Sequence, residues 1–204
     1  MVKNMATRFA ETIGEGVALR DRIVDAASKL LLEEGYACLS MRRVAQEAGC
    51  SQMAMYRHFA NKEALTQHIC GQLYASFTLK MHRWIESIVD PWEQLRRFIA
   101  ALIQFATSYP DHYSLIFLVR HVDPEVLADR ERLGKEFIRG MHRIVRSAMG
   151  ESTPDAIVHM KLRHMLSCLH GTAALLIAHP KAYGLTKRKA IDDAEATFRS
   201  LLGR

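Results

Sequence analysis

Apolar positions recur along this chain with a helical period almost throughout. From Leu19 onward, Leu19, Ile23, Ala26 and Leu30 follow at spacings of four, three and four, and Gly35 predicts the stop. Ser40 predicts the cap of a short helix ending near Ala48, and Gly49 breaks it. Ser51 opens the next helix, expected to reach Phe59, and Asn61 opens a third. The series Leu65, Ile69, Leu73, Phe77, Met81, Trp84, Ile88 then predicts one long helix ending at Asp90-Pro91.

Prolines punctuate the remainder. Asp90-Pro91, Asp123-Pro124 and Thr153-Pro154 each place a capping residue before a proline at the first helical position. Tyr109-Pro110 separates two more helices, and Pro180 closes another. The expected segments are 91–108, 111–119, 124–149, 154–178 and 187–202. No stretch alternates with period two, so the expected fold is all-α with about nine helices. Residues 1–17 lack a period and read as a mobile arm of mixed charge. The expected division is this arm, a small helical domain over 18–65, and a larger helical domain over 66–204.

Composition supports a packed core: 49% of the 204 residues are hydrophobic and 25% charged. The net charge of +6 permits an anionic partner, but the excess is not concentrated in residues 1–70. Cys38, Cys50, Cys70 and Cys168 form no CxxC pair and suggest neither a disulfide framework nor a zinc site. His164 and Cys168 share a helix face, but two ligands are too few for a metal. No apolar run is long enough to span a bilayer, and the N-terminus does not read as a signal peptide. The expectation is a cytoplasmic protein with no membrane partner and no cofactor.

The chemistry concentrates in the two short helices joined by AGCS, a helix-turn-helix pattern whose buried faces are expected at Val44, Ala45, Ala48 and Met55. Gly49 supplies the positive φ that such a turn often needs. Arg42 and Arg43 fall in the first turn of one helix and Lys62 at the first position of another. Cations there oppose the helix dipole by roughly a few tenths of a kcal/mol each. A phosphate reverses that sign. Across residues 40–62, Arg42, Arg43, Arg57 and Lys62 meet the single acid Glu47. The helix from Ser51 is expected in a DNA major groove, with Gln52 on an adenine edge and Met53 and Ala54 on thymine methyls. Ser40, Arg42, Arg43, Ser51, Tyr56, Arg57, His58 and Lys62 are expected near phosphates, and Phe59 in the core. Taken singly, Tyr56 and His58 equally suit an ordinary half-buried or capping role; the cluster favours DNA.

The run from Arg20 to Leu65, RDRIVDAASKLLLEEGYACLSMRRVAQEAGCSQMAMYRHFANKEAL, resembles the DNA-binding domain of the TetR family of transcriptional regulators. The resemblance rests on Gly35, Ser40, Val44-Ala45, Ala48-Gly49, Ser51, Tyr56, His58-Phe59 and Lys62-Glu63-Ala64-Leu65. Cys50, where that family usually has valine, and Met53, where many members have a small residue, depart from it. The resemblance implies a homodimer on a palindromic DNA operator, acting as a repressor released by a small-molecule effector.

In the larger domain, Ile191, Ala194, Phe198 and Leu201 form a narrow apolar stripe. Ile157, Leu169, Ala173 and Leu176 form another beside small residues such as Gly171. The resemblance favours a dimer seam for both stripes, although each also suits a monomer core. Trp84, Ile88, Phe105, Tyr109, Tyr113, Phe117, Met141 and Met165, with His142, Cys168 and His170 for a polar end, are candidates to line a site for a mostly apolar ligand. An enzyme using the helical pocket, or a protein-binding adaptor, are the competing classes. Against the first stands the lack of a nucleophile–base or paired-carboxylate spacing. Against the second stands the Arg42, Tyr56, His58, Lys62 set, which an adaptor does not need.

Overall fold

The computed structural model describes residues 18–118 and 124–203. The expectations for the arm 1–17 and for Asp123 as a cap lie outside the described residues. Among these residues there are nine α-helices and no strand. In chain order they are α1 Leu19–Glu34, α2 Met41–Glu47, α3 Gln52–Tyr56, α4 Lys62–Glu86 and α5 Pro91–Ser108. There follow α6 Pro110–Phe117, α7 Pro124–Met149, α8 Asp155–Ala178 and α9 Lys187–Leu201. Short 3-10 turns lie at Tyr36–Cys38 and Ala182–Gly184. No helix among the described residues is long and apolar enough to cross a membrane.

The expected caps form where a short polar side chain precedes a helix. Ser40 accepts from the Arg43 N–H, Ser51 from Ala54, Asn61 from Ala64 and Asp90 from Glu93. Gly35 ends α1 at φ +80° and Gly49 turns the chain after α2 at φ +63°. Several boundaries differ from expectation, three of them with a visible cause. α3 stops at Tyr56, because the N–H groups of His58 and Phe59 both reach the Met55 carbonyl while Phe59 turns into the core. α4 stops at Glu86: the Gln94 amide donates to the Ile85 and Ile88 carbonyls at 3.1 and 2.7 Å, and the Ser87 hydroxyl to Trp84 at 2.7 Å. α8 starts after Pro154, which occupies the cap position and offers no side-chain acceptor, so Thr153 caps nothing there.

The chain forms two compact units. The first holds the residues up to Tyr74 and Asp111–Asp129; the second holds Ala75–Pro110 and the residues from Arg130 onward. The expected boundary at residue 65 falls inside α4, and α6, from the middle of the chain, belongs with the first unit. The core of that unit combines Ile23, Val24, Ala27 and Leu31 of α1 with Val44, Met55, Phe59, Leu65 and Ile69, and Leu115 of α6 joins it.

In the second unit α5, α8 and α9 pack against one another. Phe98 and Leu102, Val158, Leu162 and Met165, and Ala190 fill the space between them. So do Leu169, Ala173, Leu176, Ala194 and Phe198, which were expected at a dimer seam. All five are buried within one chain. Of the same set, Ile157 is exposed and Ile191 and Leu201 are half-buried.

Candidate nucleic-acid interface

α2 and α3 are short, and burial rather than length holds them. α2 buries Val44 and Ala45, and α3 buries only Met55, fully. That single anchor turns the rest of α3 outward. Gln52 is exposed, Met53 is 72% exposed, Tyr56 is 51% exposed, and Ala54 is half-buried. Arg57 and His58 follow on the same exposed turn.

Arg22 of α1 fixes the turn between these helices. Its Nη2 donates to the Ala48 carbonyl at 2.6 Å and to the Gly49 carbonyl at 3.2 Å. A Cβ at Gly49 would lie 3.3 Å from that nitrogen.

The three cations set against helix dipoles part company. Arg43 forms a two-pronged contact with Glu34, Nη1 to Oε2 and Nη2 to Oε1, each at 2.5 Å. This hydrogen bond raises the Arg43 pKa above its ordinary value. Lys62 donates to the Tyr36 carbonyl at 3.1 Å, and its ammonium lies 4.1 Å from the centre of the Tyr36 ring. Arg42 alone of the three makes no side-chain hydrogen bond or ion pair with the described residues, and neither do Gln52, Tyr56, Arg57 or His58. Ser40 and Ser51 hold helix starts through their hydroxyls while remaining exposed. The surface thus divides into groups engaged in holding the unit together and an exposed, uncommitted set of donors with the apolar Met53 beside them.

Sequence reasoning did not single out the residues that hold this surface in place. Glu34 opposite Arg43 carried a weak signal, as an acid at the end of one helix near a base at the start of the next. Arg22 and Tyr36 carried none. Nor did Asp111, 75 residues from its partner: its carboxylate accepts from the Tyr36 N–H at 2.9 Å.

The candidate ligand residues are dispersed. Tyr113 and Phe117 belong to the first unit, their rings in tilted contact at 4.9 Å between centres, with Tyr74 beside Phe117. Burial pushes the Tyr113 hydroxyl well above the ordinary tyrosine pKa. In the second unit Phe105 lies between Phe77 and Tyr109. The Trp84 ring carries the Arg97 guanidinium at 5.7 Å, and the Ile88 carbonyl accepts from Gln94. Met165 is core, the Cys168 carbonyl accepts from Thr172, and the His142 ring lies tilted against His159, 4.2 Å between centres. Burial lowers the His170 pKa. Only Met141 of this set lines a cavity of about 420 Å³ in the second unit. Its other walls are His82, Ile85, Glu86, Gln94, Phe137, Gly140, Arg143, Ile144 and Ser147. Gly140 leaves room there for the His82 ring, which a Cβ would meet at 3.1 Å.

Comparison with known proteins agrees with this geometry. Residues 23–69 match the pattern of bacterial regulatory proteins of the tetR family, and residues 95–204 match the tetracyclin repressor-like C-terminal domain. An uncharacterized HTH-type transcriptional regulator of Mycobacterium tuberculosis, MT1294, is 30% identical over 90 residues, 44% of this chain and 45% of that protein. The chain thus spans about half the length of the curated relatives it matches. Among solved structures, the TetR family transcriptional regulator PfmR of Thermus thermophilus is 25% identical with a TM-score of 0.59, covering 91% of this chain and 96% of that one. A protein of unknown function from a Rhodococcus species shares the fold with a TM-score of 0.72 at 22% identity, covering 95% and 100%. With a helix-turn-helix unit at its N-terminal end and a family match over more than half its length, the chain belongs to the TetR family of bacterial DNA-binding transcriptional regulators, not to a class of enzymes.

Proposed function

We propose that the chain binds a palindromic DNA operator as a homodimer, with α3 of each protomer in the major groove, and that it acts as a cytoplasmic, ligand-released repressor. The observation that carries the reading is the uncommitted set on and around α3. Gln52, Tyr56, Arg57, His58 and Arg42 stay exposed on helices fixed from behind by Met55, Val44 and two serine caps. Gln52 with Met53 and Ala54 supplies base-edge and methyl contacts, and the cations and Tyr56 supply phosphate contacts. In this reading Arg43 and Lys62 serve the fold first, and any phosphate contact by them shares their existing partners.

The cavity in the second unit is the best-supported place for a small effector. A volume near 420 Å³ lined by the apolar Ile85, Phe137 and Met141 and by the polar His82, Glu86 and Arg143 suits a small, mostly apolar molecule with one polar end. For the dimer, the outward face of α8 supports the pairing: Ile157, Gly171, Leu175 and Ala178 are exposed and small or apolar.

Selection of bound sequences from a random duplex library at moderate salt tests the proposal. A palindromic consensus is expected; recovery of unselected sequences alone would rule out this assignment of α3.

A further inference from the structure

Asp111, a carboxylate from outside α1–α4, belongs to the unit that carries α3. The chain leaves the first unit after Tyr74 and re-enters it at Asp111, in the first turn of α6. The Asp111 carboxylate accepts from the Tyr36 N–H at 2.9 Å, and its Oδ2 lies 2.6 Å from where a Cβ on Gly35 would stand. Only a glycine leaves room for that approach, and Gly35 also holds φ +80°. The contact therefore seizes the corner at which α1 ends. Tyr36 in turn holds Lys62, by its carbonyl at 3.1 Å and by its ring at 4.1 Å. Lys62 is the first residue of α4, and two residues before it Ala60 follows Phe59, the core residue that ends the recognition turn. A series of contacts thus runs from Asp111 through Tyr36 to Lys62 and the exit of α3. Leu115, one turn further along α6, anchors the same helix in the core behind α1.

From this geometry we infer that Asp111 is a positioning residue for DNA binding. It touches no DNA; it fixes the Gly35-Tyr36 corner and, through Lys62, the junction that aims α3. The inference rests on the DNA-binding reading above. It assigns to α6 a part in operator affinity that does not depend on charge facing the duplex.

The experiment uses the full chain, with the tightest duplex recovered from the random library as probe. Wild type, Asp111→Ala and Asp111→Asn are compared at several salt concentrations and by amide hydrogen exchange at Tyr36. Asparagine keeps an oxygen for the Tyr36 N–H; alanine does not. Asp111→Ala should weaken binding about three- to tenfold, with an unchanged slope against salt, and should speed exchange at Tyr36. Asp111→Asn should bind like wild type. Wild-type affinity in the alanine variant would overturn the inference while leaving the DNA reading intact. An asparagine variant as weak as the alanine one would overturn it too, since charge and not the hydrogen bond would then be at work. If the wild-type chain enriches no duplex, the DNA reading fails and this inference fails with it.

Discussion

Arg43 and Glu34 face each other through two parallel nitrogen–oxygen contacts of 2.5 Å, so a cation seated at the start of α2 is answered by an acid at the end of α1. The dipole conflict seen in the sequence is resolved within the protein at that position. At Arg42, the neighbouring residue, it is not. The two arginines should therefore differ in their salt dependence. Arg42→Ala should lower affinity for all duplexes alike and reduce the slope of log K against log salt by about 1. Arg43→Ala should lower the midpoint of thermal unfolding and leave that slope nearly unchanged. Titration of both variants at four or five salt concentrations separates the roles.

Gln52 opens α3 with its amide exposed and without an intramolecular partner among the described residues. Replacing it by alanine should cost about 1–3 kcal/mol at one base position in each half-site and little elsewhere. Binding measured against a panel of single-base operator variants checks this. An equal loss on every duplex would place the amide on phosphate instead.

The two faces of α8 should answer differently to a charge. Leu169 is fully buried among α5 and α9, whereas Leu175 is 42% exposed. Leu169→Glu should prevent stable folding, since an unpaired buried carboxylate costs several kcal/mol. Leu175→Glu should keep the helical circular dichroism and thermal midpoint of a folded protomer yet sediment as a monomer. In the same core, Phe198→Ala should destabilise the chain by about 3–5 kcal/mol in denaturant titration.

The lowered pKa values of His112, His142 and His170 should make stability depend on mild acid. Burial lowers the pKa of His112 and of His170 from 6.5, and for His112 the nearby Asp111 charge works weakly the other way. A lowered pKa means that the unfolded chain binds more protons than the folded one. Stability should then be at its plateau above pH 6.5 and fall as the pH drops below it. His170→Gln should flatten part of that fall in urea titrations repeated between pH 7.5 and 5.5.

Much of this arrangement is written locally in the chain. Ser40, Ser51, Asn61 and Asp90 announce helix starts because a short oxygen-bearing side chain can reach only the N–H groups just ahead of it. Val44, Ala45, Ala48, Met55 and Phe59 are buried as their spacing requires. What stayed hidden depends on partners far along the chain. Lys62 resembles a phosphate contact until Tyr36 is seen beside it, and Asp111 gives no sign that it reaches back 75 residues. The stripe through Leu169, Ala173 and Phe198 shows an apolar face but not its owner, because a monomer core and a dimer seam ask for the same period.

The exposed set around α3 has an entropic consequence. Folding leaves Gln52, Arg57 and Arg42 with most of their rotamers, since nothing among the described residues holds them. If they contact DNA as proposed, their ordering, roughly 0.5–1.5 kcal/mol for each long side chain, is deferred to the moment of docking. On the proposed function, loosely matched DNA would meet a surface that can rearrange and slide, and only a site that satisfies several of these side chains together would offset the cost of freezing them.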